Sequence, residues 1–577
     1  NTVIVEQVVK FILGRHISAL CGQTGELVRV VNNQVERHTQ SAMYPDGSKV
    51  DNDVASRKAV EALDQLRSLL TSQLKKLPLG YENLMAVAPE LRYTSLFAPA
   101  VHPLAQVASS KSSEGGVSKA LKQMLKQHAG QTLTLLASPL KVLVQIESSG
   151  KWPLEAEAIK KSKLALLLKT KAELKAQFEI SSVIHEDGTL DVCYEGYVFR
   201  LQLVATPEIE AAQLGHAYSI DSTSRTVACA TVVAPLHHLG VRALRSQYPS
   251  YTGAVRLLTA WAAQHYYSGH LCLEHIELIV AYEYLHPYTA QPPASPLAGF
   301  YRALLRLSQH NWDVTPLIVD LSAEGKELQN PAIQAEIVNK FNALRNNSTE
   351  STLDPQSRRL LNTPLYIVSS ADRANHYYPS VSNKSPERVV LGMIVRSAEA
   401  SAARLLAYMQ KYDHQQLQSS EEETAALTEI MHDSTILSKC NLLLKCNKAL
   451  LNKNVAEGPS FARLSVFANT PASEANIGAL VVRESTCGVH PIQEGLVHQL
   501  NEKFGDLAVF FWNALSAREI GVLWRPTATA TASFGVLSCL NRLVEEGAVS
   551  TMLNKPSVIA QMLDVGDGLI VGAEELV

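Results

Sequence analysis

The spacing of apolar residues changes along this chain, and that change restricts the fold more than any single residue does. From about residue 130, short runs read as strands: Thr132–Leu136, Lys141–Glu147, Thr189–Cys193 and Tyr197–Val204. In the last, Val198, Arg200 and Gln202 alternate with Phe199, Leu201 and Leu203, which predicts one wet face. Pro153–Phe178 reads as one long helix, with Pro153 at its start and six lysines from Lys160 to Lys175. From Gly253 the spacing turns helical, in Ala254–Tyr267, Leu273–Tyr284 and Gly299–Gln309, with the Pro-rich Pro287–Pro296 separating the last two. Side chains repeat every two residues on a strand and about every 3.6 on a helix, so this chain builds mixed α and β blocks in succession. No exact short repeat of the solenoid kind occurs.

The flanking regions extend the pattern. Val3–Leu20 and Ala55–Leu77 read as helices, the second through Val60, Leu63, Leu66, Leu69, Leu70 and Leu74, with a turn at Tyr44–Ser48 between them. Ser109–Gly116 reads as a loop or linker. Strands are expected at Pro316–Leu321, Pro364–Ser369, Leu464–Phe467, Gly478–Arg483, Leu507–Trp512 and Glu519–Trp524, and helices at Pro331–Ala343, Ser397–Tyr412 and Ile492–Lys503. With 577 residues, several domains are expected. Hydrophobic residues at 46 % exclude a largely disordered chain. Lys+Arg number 52 against 55 Asp+Glu, a net charge of −3, so the chain lacks the basic excess of a general polyanion binder. Any RNA contact is expected to be local and shared with partners. No apolar run approaches the ~20 residues of a membrane span. Asn1 opens no signal or transit peptide and is not Met, so a fragment, or only the ordered parts of a longer protein, is expected. Eight scattered cysteines form no C-x-x-C, and Cys440 and Cys446 fit no common zinc spacing, so reduced core thiols are expected.

Several segments, in order, carry a resemblance. They include Ile146-Glu147-Ser148-Ser149-Gly150-Lys151-Trp152-Pro153, Tyr194-Glu195-Gly196-Tyr197-Val198-Phe199-Arg200-Leu201, and Tyr248-Pro249-Ser250-Tyr251 with Trp261. Glu277-Leu278-Ile279-Val280-Ala281, Pro292-Pro293-Ala294-Ser295-Pro296 and Gly299-Phe300 follow, then Trp312 and Pro316–Asp320. The set ends with Phe504-Gly505-Asp506-Leu507-Ala508-Val509-Phe510-Phe511 and Ile520–Pro526, and a weaker block lies at Leu91-Arg92-Tyr93-Thr94-Ser95. Together they resemble the Nrap (nucleolar RNA-associated protein) family. The resemblance implies an α/β and α+β multidomain fold. Tandem degenerate nucleotidyltransferase-like modules would alternate with helical modules like those of poly(A) polymerase and oligoadenylate synthetase. It implies residues 1–130 as the mainly helical C-terminal part of a preceding module, 131–240 as nucleotidyltransferase-like, and 241–330 as a helical substrate-domain-like module. Residues 331–460 would be a fifth-module-like α/β unit and 461–577 the C-terminal module. By the same resemblance, the chain lacks the family's N-terminal modules and begins inside the third. It implies a non-catalytic scaffold in the nucleus and nucleolus, serving pre-rRNA processing and 40S assembly. The implied partners are UTP-C proteins including casein kinase II, other small-subunit processome proteins and pre-rRNA, with no membrane.

The alternative is an active template-independent nucleotidyltransferase acting on RNA. Such an enzyme holds two Mg²⁺ with carboxylates at i and i+2 on one strand face, so that the metals steady the attacking and leaving oxygens. Three places come near. Asp51-Asn52-Asp53 follows Gly47-Ser48 by only two residues and precedes a helix, so a turn and helix cap is the simpler account. Glu155-Ala156-Glu157 lies in the first turn of the lysine-rich helix, where acids suit the dipole. Glu208-Ile209-Glu210 lacks a phosphate loop. Strand Val198–Val204 offers Val198, Arg200, Gln202 and Val204 where carboxylates would project. No catalytic, cofactor-binding or metal-binding residue is therefore expected, and no cofactor.

Other features have plain readings. His490 with Glu494 reads as a surface pair and His237-His238 as a loop pair. Trp152, Trp261, Trp312 and Trp524 read as core or interface anchors. Lys160, Lys161, Lys163 and Lys171 are candidates for RNA or partner contact, against a solvated helix face whose apolar side is Leu164, Leu167, Leu168 and Leu174. Ser419 and Ser420 are candidate phosphorylation sites, each with a glutamate three residues on, among Glu421-Glu422-Glu423.

Overall fold

The computed structural model describes residues 52–99, 133–147, 155–208, 229–345, 364–372, 386–413, 430–446, 462–466, 492–533, 542–544 and 550–576, apart from short breaks within them. Val3–Leu20, Tyr44–Ser48, Asp51, Ser109–Gly116, Trp152, Pro153, Gly478–Arg483 and His490 lie outside the described residues.

Helix α1 (Asn52–Ser68) runs into a single π-turn, Leu69–Gln73. Its Leu63 and Leu66, with Leu70 and Leu74 beyond, recur at three- and four-residue spacing and are all buried. The chain continues through strands β1 (Tyr81–Ala86), β2 (Leu133–Ala137) and β3 (Leu140–Ile146), helix α2 (Ala156–Phe178), then β4 (Ser182–Ile184), β5 (Thr189–Tyr194) and β6 (Tyr197–Val204). A five-stranded sheet has the order β1-β3-β6-β5-β4, with β3 and β6 parallel and the other pairs antiparallel. Residues of α1, α2 and this sheet share one core, including Leu66, Leu84, Val144, Leu167, Leu174 and Phe199. Because β1 pairs with β3, the boundary drawn at residue 130 falls inside one sheet.

The wet face expected for β6 is largely absent. Gln202 is exposed, but Val198 and Arg200 are buried. Arg200 can be buried because Asp191 on the neighbouring strand neutralises it. The register comes from the turn. Glu195 and Gly196 both adopt positive φ, 46° and 89°, the conformation a two-residue hairpin requires, and Tyr194 consequently faces Tyr197.

The second block holds α3 (Ala234–Gln247), α4 (Tyr251–Gln264), α5 (Leu273–Leu285), α6 (Pro296–Gln309), β7 (Leu317–Val319), α7 (Pro331–Arg345), β8 (Ile367–Ser369) and α8 (Arg388–Asp413). Helix α4 is buried almost all round, as its nearly continuous apolar composition demands. Trp261 is fully buried, and its indole N–H donates to Ser401 Oγ on α8 at 3.0 Å. Ser295 caps α6, accepting from Ala298 N at 3.2 Å, with Pro296 at the first helical position. Gly299 lets α6 approach α4: a Cβ there would lie 2.7 Å from Ala254 Cβ. Strands β7 and β8 pair in parallel, across the boundary expected at 330. Helix α8 starts at Arg388 rather than Ser397. Val389–Val395 is almost continuously apolar, so no period can be read from it.

The last block contains β9 (Leu442–Cys446), β10 (Ala462–Val466), α9 (Ile492–Phe504), β11 (Ala508–Trp512) and β12 (Glu519–Trp524). Beyond them lie β13 (Ala532–Ser533), β14 (Arg542–Val544), β15 (Ser550–Leu553), α10 (Lys555–Val565) and β16 (Ile570–Glu575). A four-stranded antiparallel sheet runs β11-β12-β9-β16, and β10 pairs with β2. Cys272, Cys440 and Cys446 are free and buried, and Cys193 is free and half-buried. Burial pushes the thiols of Cys440 and Cys446 up to about 12, so both stay protonated.

Candidate functional site

In the first block Asp191, Asp53 and Glu208 are each paired with a cation. Register places Asp191 opposite Arg200. Arg200 Nε and Nη2 donate to Asp191 Oδ1 and Oδ2 at 2.7 and 2.8 Å, and His185 Nε2 lies 2.7 Å from Oδ2. Burial opposes the charge of Asp191, but the hydrogen bonds from Arg200 and His185 outweigh it and hold the carboxyl below its usual range. Asp53, in the first turn of α1, lies 2.7 Å from Arg256 Nη1 and 3.7 Å from Arg245 Nη2. Glu155 and Glu157 are exposed at the start of α2. Glu208 Oε2 accepts from Ala205 N at 2.9 Å and pairs with Lys163. Ile209 and Glu210 lie outside the described residues. Of the three acidic pairs only Glu155 and Glu157 are both described, and they lie at the start of a helix rather than on a strand face. Among the described residues, no group of three or more His, Cys, Asp or Glu side chains is placed to hold a metal ion.

A second polar cluster was not visible in the sequence. Arg92, at the end of a short 3-10 turn after β1, reaches α5. Its Nε donates to Glu277 Oε1 at 2.7 Å and its Nη2 to Glu277 Oε2 at 3.1 Å. Its Nη1 also donates to Val87 O at 2.7 Å. His237 Nε2 lies 2.7 Å from Glu277 Oε2. Glu277 is completely buried. Burial works against its charge, yet Arg92 and His237 prevail and hold the carboxyl down at about 2. The expected loop pair His237-His238 is therefore corrected: both residues are on α3 and both are buried. Adjacent helical positions are about 100° apart, so both rings fit on the core side of α3 while Leu236 and Leu239 face solvent. His238 makes no hydrogen bond through its ring nitrogens within the described residues, and burial pushes it down to about 2, leaving it neutral. Around the same junction the Arg245 guanidinium sits 3.5 Å over the Tyr93 ring. The signal that could have found this cluster is a lone glutamate, Glu277, within the apolar run Ile276–Ala281.

A second junction joins the end of α4 to the last block. Trp512 N donates to Tyr266 O at 3.2 Å, Ala514 N to Ser268 Oγ at 3.0 Å, and His270 Nε2 lies 3.0 Å from Phe510 O. Gly269 is required by this approach, since a Cβ there would meet Trp512 Nε1 at 2.8 Å. Arg525 grips Glu387 through both guanidinium Nη atoms.

On α2, Lys160 and Lys161 are exposed, Lys171 is half-buried, and Lys163 is half-buried against Glu208. The apolar side is the expected one only at Leu167 and Leu174. Leu166, Leu167 and Leu174 are buried, whereas Leu164 and Leu168 are 41 % and 55 % exposed. Leucines and alanines occur all round this helix, so the sequence does not say which side faces the core. Trp312 and Trp524 are buried as expected. Ser419 and Ser420 lie outside the described residues.

Residues 35–230 match the Nrap protein nucleotidyltransferase domain 4, 248–422 the Nrap protein PAP/OAS1-like domain 5, and 437–573 the Nrap protein domain 6. The chain belongs to the Nrap family. Its fold is that of tandem nucleotidyltransferase-like and PAP/OAS1-like domains. In this Nrap chain the Arg92–Glu277–His237 cluster joins the first matched segment to the second, and the Tyr266–Trp512 contact joins the second to the third. Nucleolar protein 6 of Homo sapiens is 26 % identical over 520 residues, covering 89 % of this chain and 41 % of that protein. Nucleolar protein 6 of Xenopus tropicalis is 24 % identical over 531 residues, covering 89 % and 42 %. U3 small nucleolar RNA-associated protein 22 of Schizosaccharomyces pombe is 24 % identical over 422 residues, covering 70 % and 33 %. The chain thus spans about two-fifths of the length of the two vertebrate relatives. Solved structures of apo mtPAP and of the GLD-2/RNP-8 complex are 10 % and 9 % identical. They cover 67 % and 57 % of this chain and 76 % and 98 % of theirs, each with a TM-score of 0.27, a likeness too low to carry any argument.

Proposed function

We propose that this chain is a non-catalytic scaffold of the small-subunit processome in the nucleolus, supporting pre-rRNA processing and 40S subunit assembly through protein and rRNA contacts. One observation carries the reading. The polar side chains a nucleotidyltransferase would spend on metal and triphosphate are spent here on neighbours: Asp191 on Arg200, Asp53 on Arg256, Glu208 on Lys163. Asp191, held by both oxygens in its Arg200 pair, offers no free oxygen pair to Mg²⁺. The buried Arg92–Glu277–His237 cluster fits a rigid spacer better than a catalytic cleft that opens and closes. The relatives' names, nucleolar protein and U3 small nucleolar RNA-associated protein, support the location and the RNA class. UTP-C proteins, casein kinase II among them, and pre-rRNA are the partners this reading names.

Two experiments test it. Purified protein with Mg²⁺ or Mn²⁺ should add no nucleotide to an RNA primer from any nucleoside triphosphate. Extension that disappears in Glu208→Ala or Asp51→Ala would establish the transferase reading instead. The kinase association implies that Ser419 and Ser420 are modified, since each has the acidic residue at +3 that an acidophilic kinase reads, and each phosphate adds roughly −1.5 to −2 charges. A well-covered, unphosphorylated 415–425 peptide from growing cells would remove that part of the proposal.

A further inference from the structure

Helix α2 turns an unusual face to solvent. Leu164 and Leu168, one turn apart, are 41 % and 55 % exposed, and Ala165 between them is exposed as well. Lys160 and Lys161 flank this strip on one end and Lys169 on the other, all three exposed. The opposite side of the helix is spoken for, with Leu166, Leu167 and Leu174 in the core of the sheet. Leucines at i and i+4 beside a lysine cluster combine two kinds of recognition, apolar and cationic, on about two and a half turns of helix.

We propose that this strip is a docking surface for an acidic amphipathic helix of a partner protein. Its apolar residues would cover Leu164 and Leu168, and its Asp or Glu side chains would face Lys160, Lys161 and Lys169. The choice of occupant follows from charge and polarity. A second copy of this chain would bring like-charged lysine clusters together, which repel. An RNA backbone would satisfy the lysines but set phosphates against two leucines, gaining nothing from their burial. Only an acidic helix with its own apolar stripe satisfies both halves of the surface, in the helix-on-groove manner of many peptide ligands. This separates the four candidate lysines: Lys160 and Lys161 belong to the surface, Lys163 is committed to Glu208, and Lys171 is half-buried outside the strip.

The inference rests on the scaffold reading, but the two fail separately. Nucleotide addition would sink the scaffold reading without touching this surface, and an RNA partner here would sink this one without any nucleotide addition. The test places the photocrosslinker p-benzoylphenylalanine at position 168 of the whole protein in growing cells, with position 174 as a buried control. The expected product is an adduct with a protein segment rich in Asp and Glu that carries apolar residues at helical spacing. Reversing the charge in Lys160→Glu with Lys161→Glu should lower the adduct yield at least tenfold, with the thermal midpoint unchanged because both side chains are exposed. An adduct with RNA, with a second copy of this chain or with a segment lacking acidic residues would overturn the proposal. So would a yield no higher than at position 174, or one indifferent to the charge reversal.

Discussion

Two clusters in this molecule contain the same three kinds of side chain, an arginine, a carboxylate and a histidine. In the sheet, Arg200, Asp191 and His185 lie within sixteen residues of one another in the chain, and the arginine–carboxylate bond spans nine. At the junction of the first two domains, Arg92 and Glu277 are 185 residues apart, and His237 comes from a third segment. Both carboxyls are held below their usual range by the arginine and histidine despite burial. The chemistry is shared, but the chain entropy behind it differs. The local cluster is positioned by a two-residue hairpin that forms its own ladder. The distant one is assembled only when two domains are already folded and docked, so it registers whether docking is correct. A buried ion pair adds little net stability over apolar packing, but losing one partner is costly. The junction cluster therefore acts as a check on domain arrangement, as the proposed scaffold role would need.

The largest break in this comparison should come from Glu277→Ala. It leaves Arg92, whose side chain is 3 % exposed, and His237 facing an empty acceptor position. Losing one member of a buried pair costs ~3–5 kcal/mol. Chemical denaturation should then show the midpoint fall, with hydrogen exchange rising in both 81–96 and 273–285, on the two sides of the junction. Replacing both charges, Arg92→Met with Glu277→Leu, should recover most of the loss. A double variant as unstable as Glu277→Ala would mean that the pair supplies stability of its own rather than a penalty on mispairing.

Asp191→Ala also strands a buried guanidinium, but Arg200 is 8 % exposed against 3 % for Arg92, so the cost should lie at the lower end of the same range, about 3 kcal/mol. The hairpin ladder around Arg200 remains, and the rise in exchange should stay within β4, β5 and β6. Exchange that spreads to α5 would show that the sheet cluster is coupled to the junction, and the contrast between the clusters would fail.

How far the sequence reveals each cluster follows from the same contrast. The alternation in Tyr197–Val204 shows the strand, and Glu195-Gly196 fixes the turn, so counting three residues out from Tyr194 and Tyr197 reaches Asp191 and Arg200. The wet face was expected because polarity was read one strand at a time, when a cross-strand partner decides it. Arg92 and Glu277 both sit in segments that carry the family resemblance, yet no periodicity relates residues so far apart. The long helix Ala156–Phe178 was legible to within a few residues, while its orientation was not, because apolar residues surround it. That is why Leu164 and Leu168 were assigned to the core and Lys163 to the solvent.

The contrast that separates the regions most cleanly is set by pH. The helical region buries His238, His270 and His275, and burial pushes them down to about 2, 4 and 3. His286 and His310 are lowered in the same way. A histidine whose folded value is depressed binds its proton only in the unfolded chain. Its contribution is thus complete above the unfolded value of 6.5 and shrinks as pH falls below that, by about 1.4 kcal/mol per pH unit for each fully buried ring. Glu283, which burial pushes up, offsets part of this loss. The sheet cluster behaves differently: Asp191 is lowered from 3.8, so its contribution survives until pH falls below the ordinary carboxylate range. Between about pH 6.5 and about pH 4.5 the helical region should therefore soften while β5 and β6 hold. Hydrogen exchange, corrected for intrinsic rates, should show protection lost first in α3 and α5. His238→Leu removes one titrating ring that lacks a hydrogen bond among the described residues, and should reduce the slope of stability against pH by about one histidine's share. An unchanged slope in that variant, or simultaneous loss of protection in β6, would mean that the buried histidines do not set the acid limit of the helical region.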